Sequence, residues 1–130
     1  MKTWEISITT SKKEEMLEIT SQVQKLVKEG SNPKGAVYVF VPHTTAGLVI
    51  NEGADPDVAA DILQALNRMV PAEGHRHLEG NSPAHIKTTL VGNGQYLPLV
   101  EGRLWLGRWQ SIFLAEFDGP RDRKVRVGLE

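Results

Sequence analysis

Four histidines, His43, His75, His77 and His85, fall in the middle of a chain that contains no cysteine. Disulfides, thiol nucleophiles and cysteine-held zinc or iron–sulfur centres are therefore excluded. Any metal must rest on His, Asp, Glu or carbonyl oxygen. The densest stretch is His75-Arg76-His77-Leu78-Glu79-Gly80-Asn81, which crowds imidazole, guanidinium, carboxylate and amide into irregular chain. His85 and Lys87 follow in a helix opened by Ser82-Pro83, and a helix N-terminus attracts anions through free amides and its dipole. No established metal spacing such as HExxH is present, and taken singly these residues read as polar surface. A second candidate is Pro42-His43-Thr44-Thr45-Ala46-Gly47, an imidazole and two hydroxyls where an apolar strand emerges. Its threonines could equally be satisfying the backbone of a turn. Asp55, Asp57 and Asp61 could bind a cation. Asp55 is also a natural helix cap, and acids in a first turn suit the dipole without any ligand. Arg121, after Asp118-Gly119-Pro120, has the fork to hold phosphate or carboxylate in bidentate fashion, or it is a solvated loop arginine.

The elements that must position these groups are legible from periodicity. Thr3–Thr10 alternates as a half-buried strand, and Met16–Ile19 returns as a second strand unless Ser11 opens a helix. The box Ser21-x-x-Gln24 starts a helix that ends before Gly30. Ala36–Val41 is apolar throughout and reads as a central strand covered on both faces. Leu48–Asn51 is a further strand, and Asp55-Pro56 begins a helix stopped by Pro71. Ala72–Asn81 is irregular, a short helix runs from Ser82-Pro83 to Leu90, and Gly92–Gly94 turns. Strand patterns follow at Tyr96–Val100, Arg103–Leu106, Gln110–Phe117 and Lys124–Leu129, with a hairpin turn at Glu101-Gly102. Arg123, Lys124 and Arg126 look like a charged edge strand. The fold class is α+β, one compact domain over residues 1–130 with a mixed, largely antiparallel β core and two to three helices.

Composition fits that reading. The 130 residues carry 15 Lys and Arg against 16 Asp and Glu, so no basic excess points to nucleic acid. No apolar run approaches the roughly 18 residues that cross a bilayer. The N-terminal MKTWEISITT lacks the apolar core of a signal peptide, so a cytoplasmic location is expected.

Five ordered blocks are similar to a known family: Pro42-His43-Thr44-Thr45-Ala46, Asn51-Glu52 with Asp55-Pro56-Asp57, Glu79-Gly80-Asn81 with Ala84-His85, Leu106-Gly107 with Trp109-Gln110, and Glu116-Phe117-Asp118-Gly119-Pro120-Arg121. The chain resembles the YjbQ family, whose members are labelled secondary thiamine-phosphate synthases. The resemblance implies a YjbQ-like α+β fold, a homotrimer, and a polar pocket built from these blocks at or near a subunit boundary. It also implies joining a hydroxymethylpyrimidine diphosphate to a thiazole phosphate with release of pyrophosphate. Ala115 and Pro83 depart from the family pattern, where cysteine and an acid are common, so neither a thiol nor a carboxylate at those positions is essential here.

On these positions, residue type assigns the roles. His43, Thr44, Thr45, Glu79 and Asn81 are the catalytic candidates; Lys87, Arg108, Arg121 and Asp118 would hold the substrate. His43, His77, His85 and Asp55 would bind a divalent metal, zinc on the imidazoles or magnesium on Asp55 and Asp57. The three imidazoles must then converge. Two other classes stay open: a metal-dependent hydrolase of a small phosphorylated or heterocyclic metabolite, and a non-catalytic trimer that binds one. The expected partners are a small phosphorylated metabolite and further copies of the chain, with Trp4, Trp105 and Trp109 supplying apolar surface, and no nucleic acid or membrane.

Overall fold

The computed structural model describes residues 1–130. The chain runs β1 (Lys2–Thr9), β2 (Glu15–Glu18), α1 (Thr20–Gly30), β3 (Ala36–Phe40), β4 (Ala46–Glu52), α2 (Pro56–Met69), α3 (Ser82–Val91), β5 (Gly94–Val100), β6 (Arg103–Leu104), β7 (Gln110–Glu116) and β8 (Asp122–Leu129). Two sheets form, ordered β1-β8-β3-β5-β6 and β2-β7-β4. The largely antiparallel core is antiparallel at every strand pairing. No helix is long and apolar enough to cross a membrane.

The main core lies between the sheets. Val37, Val39, Leu97, Leu99, Val125, Val127 and Leu129 of the large sheet meet Leu48, Ile112 and Leu114 of the small one, with Val23 and Val27 of α1 closing one end. A second cluster, Ala84, Ala115 and Phe117, gathers Leu63 and Leu66 of α2 and Val91 of α3 on the other face of the small sheet. The strand covered on both faces is therefore β7, whose residues from Ile112 to Glu116 are all buried. The all-apolar β3 instead alternates between buried and half-buried, because its outer side carries the aromatic pair Tyr38 and Phe40 with no layer above it. Apolar content marked β3 as central, but burial on both faces requires a second layer.

Several boundaries move for identifiable reasons. Ser11 opens no helix: the Glu15 carboxylate accepts the Ser11 and Lys12 amides at 2.6 and 2.9 Å and folds the turn that returns as β2. α1 begins at Thr20, and Gln24, instead of closing a capping box, bridges to the Gly102 carbonyl and the Leu104 amide at 3.2 and 2.9 Å. Asp55 caps α2 through a 2.9 Å bond from the Asp57 amide, with Pro56 behind it, as the sequence indicates. Glu101 and Gly102 both take positive φ, 51° and 76°, which suits the tight hairpin read at that dipeptide. The last correction is electrostatic. β8 lies between β1 and β3, so it is no edge, and Arg123 is buried inside it while Lys124 and Arg126 face solvent.

Candidate functional site

The turn that follows β7 is the organising feature. Glu116 is fully buried at the end of β7, and its carboxylate receives Arg123 Nε at 2.8 Å, a second and shorter bond from Arg123 Nη2, and the Thr10 hydroxyl at 2.8 Å. Arg123 also reaches the Thr45 hydroxyl at 2.9 Å, so Thr45 is spent on the framework, whereas Thr44 is exposed. Glu116 then accepts the Asp118 amide at 3.1 Å, which passes this order on to the next residue. Burial alone would raise the Glu116 carboxyl, but the bonds from Arg123, Asp118 and Thr10 hold it below the ordinary carboxylate range.

Asp118 is clamped in turn. Its Oδ2 accepts Asn81 Nδ2 at 3.0 Å and Arg121 Nη2 at 2.8 Å, and Arg121 Nε donates to the Asp118 carbonyl at 2.8 Å. Burial opposes these bonds and loses, so the Asp118 carboxyl titrates below its usual range. Asn81 is the α3 N-cap, yet its side chain makes no cap bond; its Oδ1 is buried without a partner while Nδ2 goes to Asp118. The sequence expectation that Ser82 caps α3 is off by this one residue.

Asp118, Asn81, Glu79 and Lys87 line one cleft of about 460 Å³ at the head of α3, walled by Val70, Ala84 and Phe117. Lys87 is 5% exposed, and its ammonium is taken by Glu14 Oε2 at 2.6 Å and by Asn67 Oδ1. Asn67 Nδ2 closes the triangle onto Glu14 Oε1 at 2.8 Å. Lys87 is thus neutralised from within the fold, and Arg121 spends two of its donors on Asp118. Glu79 projects into solvent at the rim. Across the Asn81–Ser82 turn, a shallower hollow of about 390 Å³ is lined by His75, Arg76, His77, Ser82, His85 and Ile86. There the His77 and His85 rings meet edge to face at 5.6 Å, with Glu79 3.8 Å from His77.

The metal set does not assemble in one chain: no group of three or more His, Asp or Glu gathers as ligands would. Two of the three imidazoles converge; His43 does not join them. Its Nε2 accepts the Lys124 amide at 2.9 Å, which places the neutral ring's proton on Nδ1 and leaves neither nitrogen ready for a metal. Asp55 is occupied as a cap. Arg108 lies over the Trp109 ring at 4.9 Å and lines neither hollow. Glu14, Asn67, Glu116 and Arg123 are the contributors that sequence reasoning missed.

A pH signature follows. Burial, then the nearby Arg123 charge, pushes His43 below the ordinary imidazole value of 6.5, with the Glu116 carboxylate acting the other way. The unfolded chain then takes up the proton first, so this contribution is present above about pH 6.5 and is lost as pH falls toward the folded value. Urea midpoints measured from pH 7.5 down to 5.5 should fall for the wild type. His43→Gln, which can still accept the Lys124 amide, should lack that component; parallel curves for the two proteins would refute it.

The fold and cleft define a class: a small α+β domain with two antiparallel sheets and a polar cleft where a helix head meets the turn between two strands. Its relatives share that frame. The profile of UPF0047 protein YjbQ-like sequences matches residues 4–129. UPF0047 protein YugU of Bacillus subtilis is 46% identical over 126 residues, covering 95% of this chain and 96% of that protein. UPF0047 protein MJ1081 of Methanocaldococcus jannaschii is 46% identical over 123 residues, covering 94% and 89%. The crystal structure of an uncharacterized conserved protein of the YjbQ/UPF0047 family from Clostridium acetobutylicum superposes with a TM-score of 0.95 at 49% identity, covering 98% and 99%. The chain belongs to the YjbQ-like UPF0047 family, as its sequence blocks indicate.

Proposed function

We propose that this chain is a small-molecule transferase of the thiamine-phosphate synthase type and works as a homotrimer. One observation carries the reading: Glu79, Asn81, Lys87 and Asp118, four positions singled out by chemistry in the sequence, line a single cleft. Arg76 supplies the fixed cation an anionic tail needs, with three imidazole rings around it as hydrogen-bonding groups, next to that cleft on the other side of the Asn81–Ser82 turn. In the reaction the bond between the pyrimidine methylene and the diphosphate oxygen breaks, the methylene bonds to the thiazole nitrogen, and pyrophosphate leaves. Charge grows on the leaving group, so fixed cations beside it lower the barrier. Magnesium enters this reading as the companion of the diphosphate and not as a resident of a histidine site. The trimer is supported by large apolar side chains left in solvent, among them Trp105 and Trp109 at 67% and 56% exposure.

The test incubates the protein with hydroxymethylpyrimidine diphosphate, thiazole phosphate and magnesium. Thiamine phosphate and pyrophosphate should form in equal amounts, and Arg76→Ala should lower the rate by about tenfold or more, the range for losing one charged contact. No product above a protein-free control would overturn the proposal.

A further inference from the structure

We propose that the cleft at the head of α3 receives the ring of the substrate and that Asp118 Oδ1 selects the ring's exocyclic amine. This rests on the synthase-type reading above and assigns one half of its substrate to one wall of the site. Both side-chain donors that reach the Asp118 carboxylate, Asn81 Nδ2 and Arg121 Nη2, bind Oδ2. The Asp118 amide and carbonyl are held as well, by Glu116 and by Arg121 Nε. The carboxylate is fixed in one orientation, and Oδ1 has no protein partner and is not sealed from solvent.

An ionised carboxylate only accepts hydrogen bonds. A ligand at Oδ1 must therefore present an N–H or O–H. The rest of the cleft narrows the class. Val70, Ala84 and Phe117 offer apolar walls to the face of a planar ring. Two ion pairs tie up charge at the cleft, Asp118 with Arg121 and Glu14 with Lys87, and Lys13 and Glu79 complete its charged lining. A diphosphate placed against Asp118 would face the free lone pairs of its carboxylate and be repelled. A neutral ring with an amine gains a charge-assisted bond and loses little solvation. Arg76 lies beyond the Asn81–Ser82 turn, among the rings of His75, His77 and His85. This arrangement orients the substrate, with the ring inward against Asp118 and the anionic tail outward toward His77 and His85.

The experiment measures binding rather than turnover. The free hydroxymethyl aminopyrimidine and its oxo analogue, in which a ring carbonyl replaces the exocyclic amine, are titrated into wild type and Asp118→Asn by calorimetry. Amide shifts are followed by NMR in the same titrations. Wild type should prefer the amino ring by about tenfold or more, the range for a hydrogen bond to a charged group. Shifts should centre on Ala84, Phe117 and Asp118. Asp118→Asn keeps the shape of the side chain but offers an N–H, so the preference should vanish or reverse toward the oxo ring. A merely structural role for Asp118 would weaken both rings alike. Equal affinity of wild type for the two rings, or shifts confined to His75–His77 and His85, would overturn the assignment without recourse to any variant. Thiamine phosphate formed with no amine selectivity would sink this inference alone. Amine selectivity without turnover would sink the synthase reading and leave the subsite standing.

Discussion

Glu116→Gln should cost about 3–5 kcal/mol of folding stability, the range for breaking a buried ion pair by removing one partner. The Glu116 and Arg123 side chains are 0% and 4% exposed, so without the carboxylate the guanidinium keeps its charge in a site closed to water. Arg123→Met should cost a similar amount. The double variant Glu116→Leu with Arg123→Met should cost clearly less than the two single costs together, because the charge and its partner leave at once. Thr10→Ala removes the one hydroxyl donor to Glu116 and the acceptor of the Arg121 amide, and should cost about 1–2 kcal/mol. Urea denaturation at one fixed protein concentration checks the series, and a Glu116→Gln penalty below that of Thr10→Ala would show that the pair carries no such weight. Acid should act in the same direction. The Glu116 carboxyl sits below its ordinary 4.5, so its contribution is complete above that value and is lost as pH drops through the folded pKa.

The fold was legible wherever periodicity and punctuation agree. Asp55-Pro56 and Pro71 bracket α2, and alternation marks β1. Glu101-Gly102 marks the β5–β6 turn, because the tight hairpin needs positive φ at both positions. Legibility failed where a residue's role depends on what stands opposite. Gln24 has the spacing of a capping box, yet β6 presents a bare carbonyl and amide to it. Arg123 has the appearance of an edge charge, yet pairing puts β8 in the interior of a sheet, and the only satisfactory place for a guanidinium there is against a carboxylate. Apolar content alone could not decide between β3 and β7 as the strand buried on both sides, since the covering helices come from distant sequence.

The candidate site was legible in the same measure. Residue type found Asp118, Asn81, Glu79 and Lys87, and the structure sets them around one cleft. It could not find Glu14 or Asn67, which lie 73 and 20 positions from Lys87 and become its partners only when the β1–β2 turn and the end of α2 close over α3. The histidine grouping was half right for a similar reason. His77 and His85 are neighbours because a turn folds one onto the first helical turn of the other, while His43 is drawn to the β8 backbone. Counting donors after folding also inverts a natural assumption about Lys87 and Arg121. Their charges belong first to Glu14 and Asp118, and what they give the cleft is fixed carboxylates.

Gly119→Ala should be about as damaging as a severe core overpacking, about 3 kcal/mol. A Cβ at this position would fall on the Lys12 carbonyl oxygen and lie 2.8 Å from Thr10 Oγ1 and 2.9 Å from Glu116 Cγ. Two of those atoms cannot easily yield. The Lys12 carbonyl is backbone, and the Thr10 hydroxyl is held by Glu116 and by the Arg121 amide at 2.8 Å each. The Gly119 amide itself donates to the Lys13 carbonyl at 2.9 Å, so the chain cannot back away without losing that bond too. Gly107→Ala is the matched control, because its Cβ would meet only the Gln110 side chain, at 3.3 Å from Oε1, which can move. That variant should stay within about 1 kcal/mol of wild type. Gly119 also sits directly between Asp118 and the Pro120–Arg121 segment that clamps it, so a folded Gly119→Ala protein should bind the aminopyrimidine more weakly as well as melting earlier. Denaturation midpoints for the two variants, with the calorimetric titration repeated on whichever remains folded, give the answer. Equal stability would mean that the turn after β7 has room the structure does not show.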